Sequence, residues 1–197
     1  MVDSVRHFSY VNEGTVSLVV GEKKTKFHIH AHKLSEVSTF FRAALESGFR
    51  EAGERMITLS EDVETVDCFV QWVYHQKIRV SENRNCDLYI FADKYDIPDL
   101  KRYALTKLFR IIWKCRPPAP FKVENWYQHT SATSGLRLLI RDWYFWKASS
   151  EYLASKQFHD ALIQNPEFAA DLVAVLGRFN LNRMCPKPEN MEIEQYV

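Results

Sequence analysis

Residues 27–41 read FHIHAHKLSEVSTFF, and the fold turns on how they divide. Phe27, Ile29 and Ala31 alternate with His28, His30 and His32, the two-residue period of a strand with one buried face. From Leu34 the apolar residues fall at Leu34, Val37, Phe40, Phe41, Ala44 and Leu45, the three-and-four spacing of a buried helical stripe. A strand that runs directly into such a helix pins helices onto a sheet. The residues before it supply a partner. VSLVV at 16–20 is β-branched and apolar, and GEKK at 21–24 is a polar, glycine-led turn, so 16–20 and 26–31 are expected to pair as a hairpin. MITL at 56–59 reads as a third short strand.

Downstream, the pattern is helical. Glu61 and Asp62 precede Val63, Val66, Phe69, Val70 and Val73, a helix with acidic residues at its positive end that stops near residues 74–77. After a polar linker at 83–85, residues 86–95 form a helix with Leu88, Phe91, Ala92 and Tyr95 on one face, and Pro98 opens the next. RPPAP at 116–120 breaks the chain's helical run. A short helix is expected at 121–127, a polar connection at 129–135 and a strongly apolar helix, LRLLIRDWYFWK, at 136–147. Two more helices follow at 158–163 and 168–179, with Asn165 as cap and Pro166 as first residue of the second. Residues 1–14 read as a short helix or irregular arm, and 186–197 as a polar, mobile tail.

Composition narrows the function. Among 197 residues, 46% are hydrophobic and 14% aromatic, enough for a core. The 26 basic and 25 acidic residues leave a net charge of +1, with no overall electrostatic footprint for nucleic acid. No apolar run approaches the roughly 20 residues of a membrane span, and the N-terminus lacks the apolar core of a secretory signal. The four cysteines, Cys68, Cys86, Cys115 and Cys185, have no metal-binding spacing and read as reduced thiols of the cytoplasm or nucleus.

His30, Leu34, Ser38 and Phe41 together resemble the signature of the BTB/POZ family. FVQWVYHQKI at 69–78 resembles the family's ending of its central helix, and LYIFADKYDIPDLKRYALTKLF at 88–109 resembles its helical pair, with Ala92, Asp93 and Tyr95 at the matching positions. The order of Ser134–Arg137, an aromatic helix and then Pro166–Phe168 is similar to the region after the core in small fungal members. The resemblance implies an α+β fold: a short three-stranded sheet packed against helical hairpins at residues 1–115, an all-helical extension at 116–182, and a disordered tail at 183–197. It also implies a buried, hydrogen-bonded His30. The first core strand of the family opens with an Asp, part of a charged pocket in dimeric members. Thr15 or Ser17 holds that place here, which puts such a pocket in doubt.

Each candidate site has two readings. His28, His30 and His32 would share a strand face and invite a metal, but neighbouring side chains diverge where zinc needs ligands that converge, so structural or surface histidines are expected and no metal or cofactor. No nucleophile elbow or phosphate loop is present, which leaves a metal-dependent enzyme on the histidine strand as a remote alternative. Phe49-Arg50-Glu51 follows the second helix. Members of the family that recruit a cullin-type ubiquitin ligase carry an apolar residue, any residue and Glu there, an anchor plus a carboxylate at a groove's rim; the bland reading folds Phe49 onto its own core. Tyr74 and His75 would widen that surface. The Trp143–Trp146 aromatics are core or a helix laid in a partner's groove. The expected function is a non-catalytic protein–protein interaction module, in its most concrete form a substrate-recruiting adaptor for a cullin scaffold. The alternative is a homotypic or heterotypic scaffold, or a transcription-associated regulator, pairing with other BTB proteins. Fifteen residues precede Val16, short for the exchanged strand of obligate dimers, so self-association is expected to be weak or absent. Neither nucleic acid nor membrane is an expected partner.

Overall fold

Val16, Leu18, Val19 and Val20 are all buried, because β1 (Thr15–Val20) is the central strand of a three-stranded sheet ordered β2-β1-β3. The computed structural model describes residues 14–46, 56–112, 114–182 and 192–197. Strand β2 (Thr25–His30) runs antiparallel to β1 with Thr15 opposite His30 and Val20 opposite Thr25. Gly21 (φ 67°) and Lys24 (φ 50°) take left-handed backbone in the connecting turn, and the Lys24 amide donates to the Gly21 carbonyl at 3.0 Å. Strand β3 (Met56–Leu59) pairs parallel to β1, with Ser17 opposite Met56.

The changeover in residues 27–41 comes one residue earlier than the alternation suggests. Strand β2 ends at His30, and Ala31 opens α1 (Ala31–Val37). His32 is therefore helical, and the three histidines do not share a strand face. The expected apolar stripe is also broken. Ser38 is extended (φ −142°, ψ 126°) and separates α1 from α2 (Thr39–Glu46). Its hydroxyl donates to the Tyr95 carbonyl at 2.6 Å and accepts the Phe41 amide at 3.0 Å, satisfying one of the open donors at the start of α2. Leu34 and Phe41 are buried, while Phe40 is 45% exposed.

Helix α3 (Val63–His75) starts where its acidic residues predict. Asp62 caps it by accepting the Thr65 amide at 3.0 Å, and Gln76 closes it in left-handed conformation. Glu61 does something else: it accepts the Tyr95 hydroxyl at 2.6 Å and pairs with Lys94. Helices α4 (Glu82–Lys94) and α5 (Pro98–Ile112) follow. By internal contacts the chain forms two units, Met1–Val80 with Phe91–Lys101, and Ser81–Ile90 with Arg102–Val197. In the first, Phe41, Phe69, Phe91 and Tyr95 make the aromatic centre, with Phe41 stacked on Tyr95 at 5.2 Å and Phe69 at 4.9 Å from Phe91. Ala92 is fully buried beside them in sequence, whereas Asp93 is on the surface, paired with Lys101.

The second unit is helical: α6 (Pro120–Gln128), α7 (Gly135–Lys147), the single turn α8 (Ser150–Leu153), α9 (Lys156–Gln164) and α10 (Pro166–Asn182). Asn165 caps α10 through the Phe168 amide at 3.1 Å. The aromatic helix α7 is core on its main face: Trp143 and Tyr144 are buried, and Tyr144 stacks on Phe158 at 5.9 Å. The same helix buries Arg137, which no apolar pattern predicts. Its guanidinium donates to Thr130 Oγ1 (3.1 Å), to the Thr130 and Tyr127 carbonyls and to Glu167, and lies 4.5 Å over the Tyr127 ring. A planar fork with several fixed donors suits this cluster of acceptors, and lysine would not. At the end of the expected tail, Ile193–Gln195 form a 3-10 turn and Tyr196 is buried. No described helix is long and apolar enough to cross a membrane.

Two predictions follow from these contacts. Ser38→Ala removes a helix cap and orphans a buried carbonyl, so urea unfolding should show a loss of about 1–3 kcal/mol. The second concerns Tyr95, Tyr127 and Tyr196. Burial first, and then the carboxylates of Glu61, Asp171 and Asp142, hold their hydroxyls well above the ordinary tyrosine range. The folded protein keeps protons that the unfolded chain releases near pH 10, so the stability these groups contribute is whole below about pH 10 and falls as the pH rises further. Thermal melts at successive alkaline pH values should show a steepening drop, reduced in Tyr127→Phe.

Candidate partner-binding surface

Tyr74 is the last large aromatic of α3, and it is 40% exposed. A helix places residues three and four apart on one face, so the run that buries Phe69, Trp72 and Val73 turns Tyr74 and His75 outward. Tyr74 is held in place by the end of β2. Its hydroxyl accepts the His30 amide at 3.1 Å and lies 2.8 Å from His30 Nδ1. The phenol oxygen can accept the amide and still donate its own proton to Nδ1, and in that arrangement the His30 proton sits on Nε2. The two rings meet edge to face at 5.9 Å.

His30 is hydrogen-bonded as the family resemblance implies, but exposed rather than buried. The cause is its strand. On β2 only Ile29 faces the core fully, and Lys26, His28 and His30 point to the solvent side. His28 Nδ1 lies 3.1 Å from the Ser17 hydroxyl, which occupies one of the two places where the family's strand-opening Asp would stand. His30 and His32 have ring centroids 5.6 Å apart, yet no group of three or more His, Cys, Asp or Glu converges among the described residues. Cys86 is fully buried, and burial together with Asp87 pushes its thiol well above the ordinary range, the reverse of what a nucleophile needs.

The other sequence candidates fall into two groups. Leu34, Ser38, Phe41, Ala92 and Tyr95 are buried and build the first unit's core. Phe49 and Glu51 lie outside the described residues. Exposed Phe40, edge-on to Phe41 and Tyr95 at 5.3 and 5.2 Å, adds apolar surface that periodicity had assigned to the core. Between α1 and α2 the surface dips into a hollow edged by Glu36, Glu46 and Arg42, whose guanidinium is tied to the Ser35 carbonyl at 2.8 and 3.0 Å. In the helical unit a separate open cleft of about 520 Å³ is lined by Arg116, Pro120, Lys147, Glu151, Tyr152 and Gln157, among others. Tyr144 fixes one of its walls by donating its hydroxyl to the Pro118 carbonyl. These surfaces offer aromatic rings, charges and hydrogen-bonding tips, which are the means of protein recognition.

Comparison with known proteins fits that chemistry. The BTB/POZ domain family model matches residues 10–109. "Kelch repeat and BTB domain-containing protein 4" of Macaca fascicularis is 28% identical over 105 residues, covering 48% of this chain and 19% of the relative. The proteins of that name in Mus musculus and Homo sapiens are each 30% identical over 76 residues, covering 38% of this chain and 14% of the relative. The chain thus spans less than a fifth of the length of these relatives.

Tyr74→Phe should release the His30 ring with a stability cost no greater than about 1 kcal/mol, since the pair is exposed. Nitrogen-15 spectra of the imidazoles should show one His30 tautomer in the native protein and a mixture in the variant.

Proposed function

The chain belongs to the BTB/POZ family, a protein-interaction fold, and from that premise we propose that it serves as a substrate-recruiting adaptor for a cullin-type ubiquitin ligase, with no chemistry of its own. The observation that carries this reading is the sequence Phe49-Arg50-Glu51 between α2 and β3. It has the apolar-x-Glu form that the family resemblance associates with cullin recruitment. Exposed Tyr74 and His75 on α3 support it by adding an aromatic ring and an imidazole to the same unit's surface. In this reading Phe49 is the anchor that enters the scaffold's groove, Glu51 pairs with a donor at the rim, and Tyr74 contributes contact area at little entropic cost because His30 already orders it. The client would be held elsewhere. The open cleft in the helical unit, lined by Arg116, Lys147 and Glu151, offers charges of both signs to a client segment.

Phe49→Ala with Glu51→Ala should weaken binding of a cullin scaffold by about tenfold or more, with little change in melting temperature. Titration by calorimetry, beside a pull-down read by mass spectrometry, measures this. Equal binding by the variant would remove the site. A pull-down without cullin, but with other BTB proteins, would favour the scaffold reading.

A further inference from the structure

The turn and strand at residues 21–30, GEKKTKFHIH, carry Lys23, Lys24, Lys26, His28 and His30 against one carboxylate, Glu22. All of these basic side chains are exposed. Lys23, Lys24 and Lys26 meet no carboxylate among the described residues. On α3, which packs against β2, Asp67 is engaged with Gln71 Nε2 at 2.7 Å.

The backbone of the same strand is open along one side. Partners in an antiparallel ladder alternate between pairs that bond each other and pairs whose amides and carbonyls point away. The His30 amide bonds the Tyr74 hydroxyl instead of β1, so His30 is of the second kind, and His28 and Lys26 follow by alternation. No described group takes the outward amides of Lys26 and His28. The side chains of these three residues also share the solvent face. The free hydrogen-bonding groups of the β2 edge and its cationic row therefore belong to one set of residues, and Tyr74 closes that edge at His30.

We propose that the free edge of β2 takes an extended acidic segment of another protein as an added strand. Edge lysines deter the addition of a neutral or basic strand. A strand with carboxylates at alternate positions is the case they do not deter, because opposite charges directly across an edge attract. Its main chain bonds Lys26 and His28, and its carboxylates lie beside Lys26, His28 and His30, so the backbone supplies affinity and the charge supplies specificity. Tyr74 stops the added strand at His30 and so fixes its register. The proposal goes beyond the adaptor reading and does not depend on cullin binding, which Phe49 and Glu51 test separately.

A fluorescein-labelled peptide, SEVEVEVS, should bind the full chain saturably, and added salt should weaken the complex. Amide hydrogen exchange read by NMR should slow at Lys26 and His28 in the complex and stay unchanged at Phe27 and Ile29, which already bond β1. Lys26→Glu, checked for folding by circular dichroism, should weaken binding about tenfold. The same peptide N-methylated at its glutamates keeps its charge but loses its main-chain donors, and should also bind about tenfold more weakly. Absence of binding by SEVEVEVS, equal binding by the N-methylated peptide, or a complex that leaves exchange at Lys26 and His28 unchanged would each overturn the proposal.

Discussion

The Ser38 hydroxyl is the contact on which the first unit depends. It breaks what would be one helix into two, caps the second through the Phe41 amide and ties the break to the Tyr95 carbonyl. The tie brings residues 57 positions apart into a fixed relation, and a second bond from Thr39 to Asp96 repeats it one residue on. Only then can Phe41 stack on Tyr95 and meet Phe69. An apolar residue at position 38 would extend the stripe, but it would leave the Tyr95 carbonyl without its partner inside the core.

Much of this fold was legible in the sequence, and the reason is periodicity. All three strands, the α3 and α10 caps and the Pro98 helix start lie within a residue or two of where spacing and capping chemistry put them. Failures occurred where a partner distant in sequence decides. A serine inside an apolar stripe looks like a tolerated polar residue until Tyr95 is known to face it. The family resemblance implied a buried His30, whereas the alternation of residues 27–32 sets it on the face opposite Ile29. The structure follows the alternation: β2 is an edge strand, and its face opposite Ile29 meets solvent. Of the candidate surface, the outward turn of Tyr74 and His75 could be read from the helix pattern. The bond from Tyr74 to His30, 44 residues away, could not.

The helical unit shows the same limit more sharply. Its aromatic helix reads as buried, and Trp143 and Tyr144 are. Yet the groups that specify the packing are polar: Arg137 over the Tyr127 ring and Asp142 accepting the Tyr196 hydroxyl. A charged residue in an apolar stripe is the one local sign of such a network, because burial without partners would be prohibitive. Tyr196 carries no such sign, being a lone aromatic in a polar stretch.

The parallel pairing of β1 with β3 bears on the order of assembly. The β1–β2 hairpin joins neighbours through a four-residue turn, while Ser17 meets Met56 only after 39 intervening steps along the chain. Contacts so far apart in sequence form late, since the closure entropy must be met before the pairing returns anything. The hairpin can therefore set its own register early and wait for β3 with the edge of β1 still open. Until that edge is filled, its unpaired backbone groups are available to any extended segment nearby, so the nascent sheet is most vulnerable to mispairing while residues 31–55 are still being threaded.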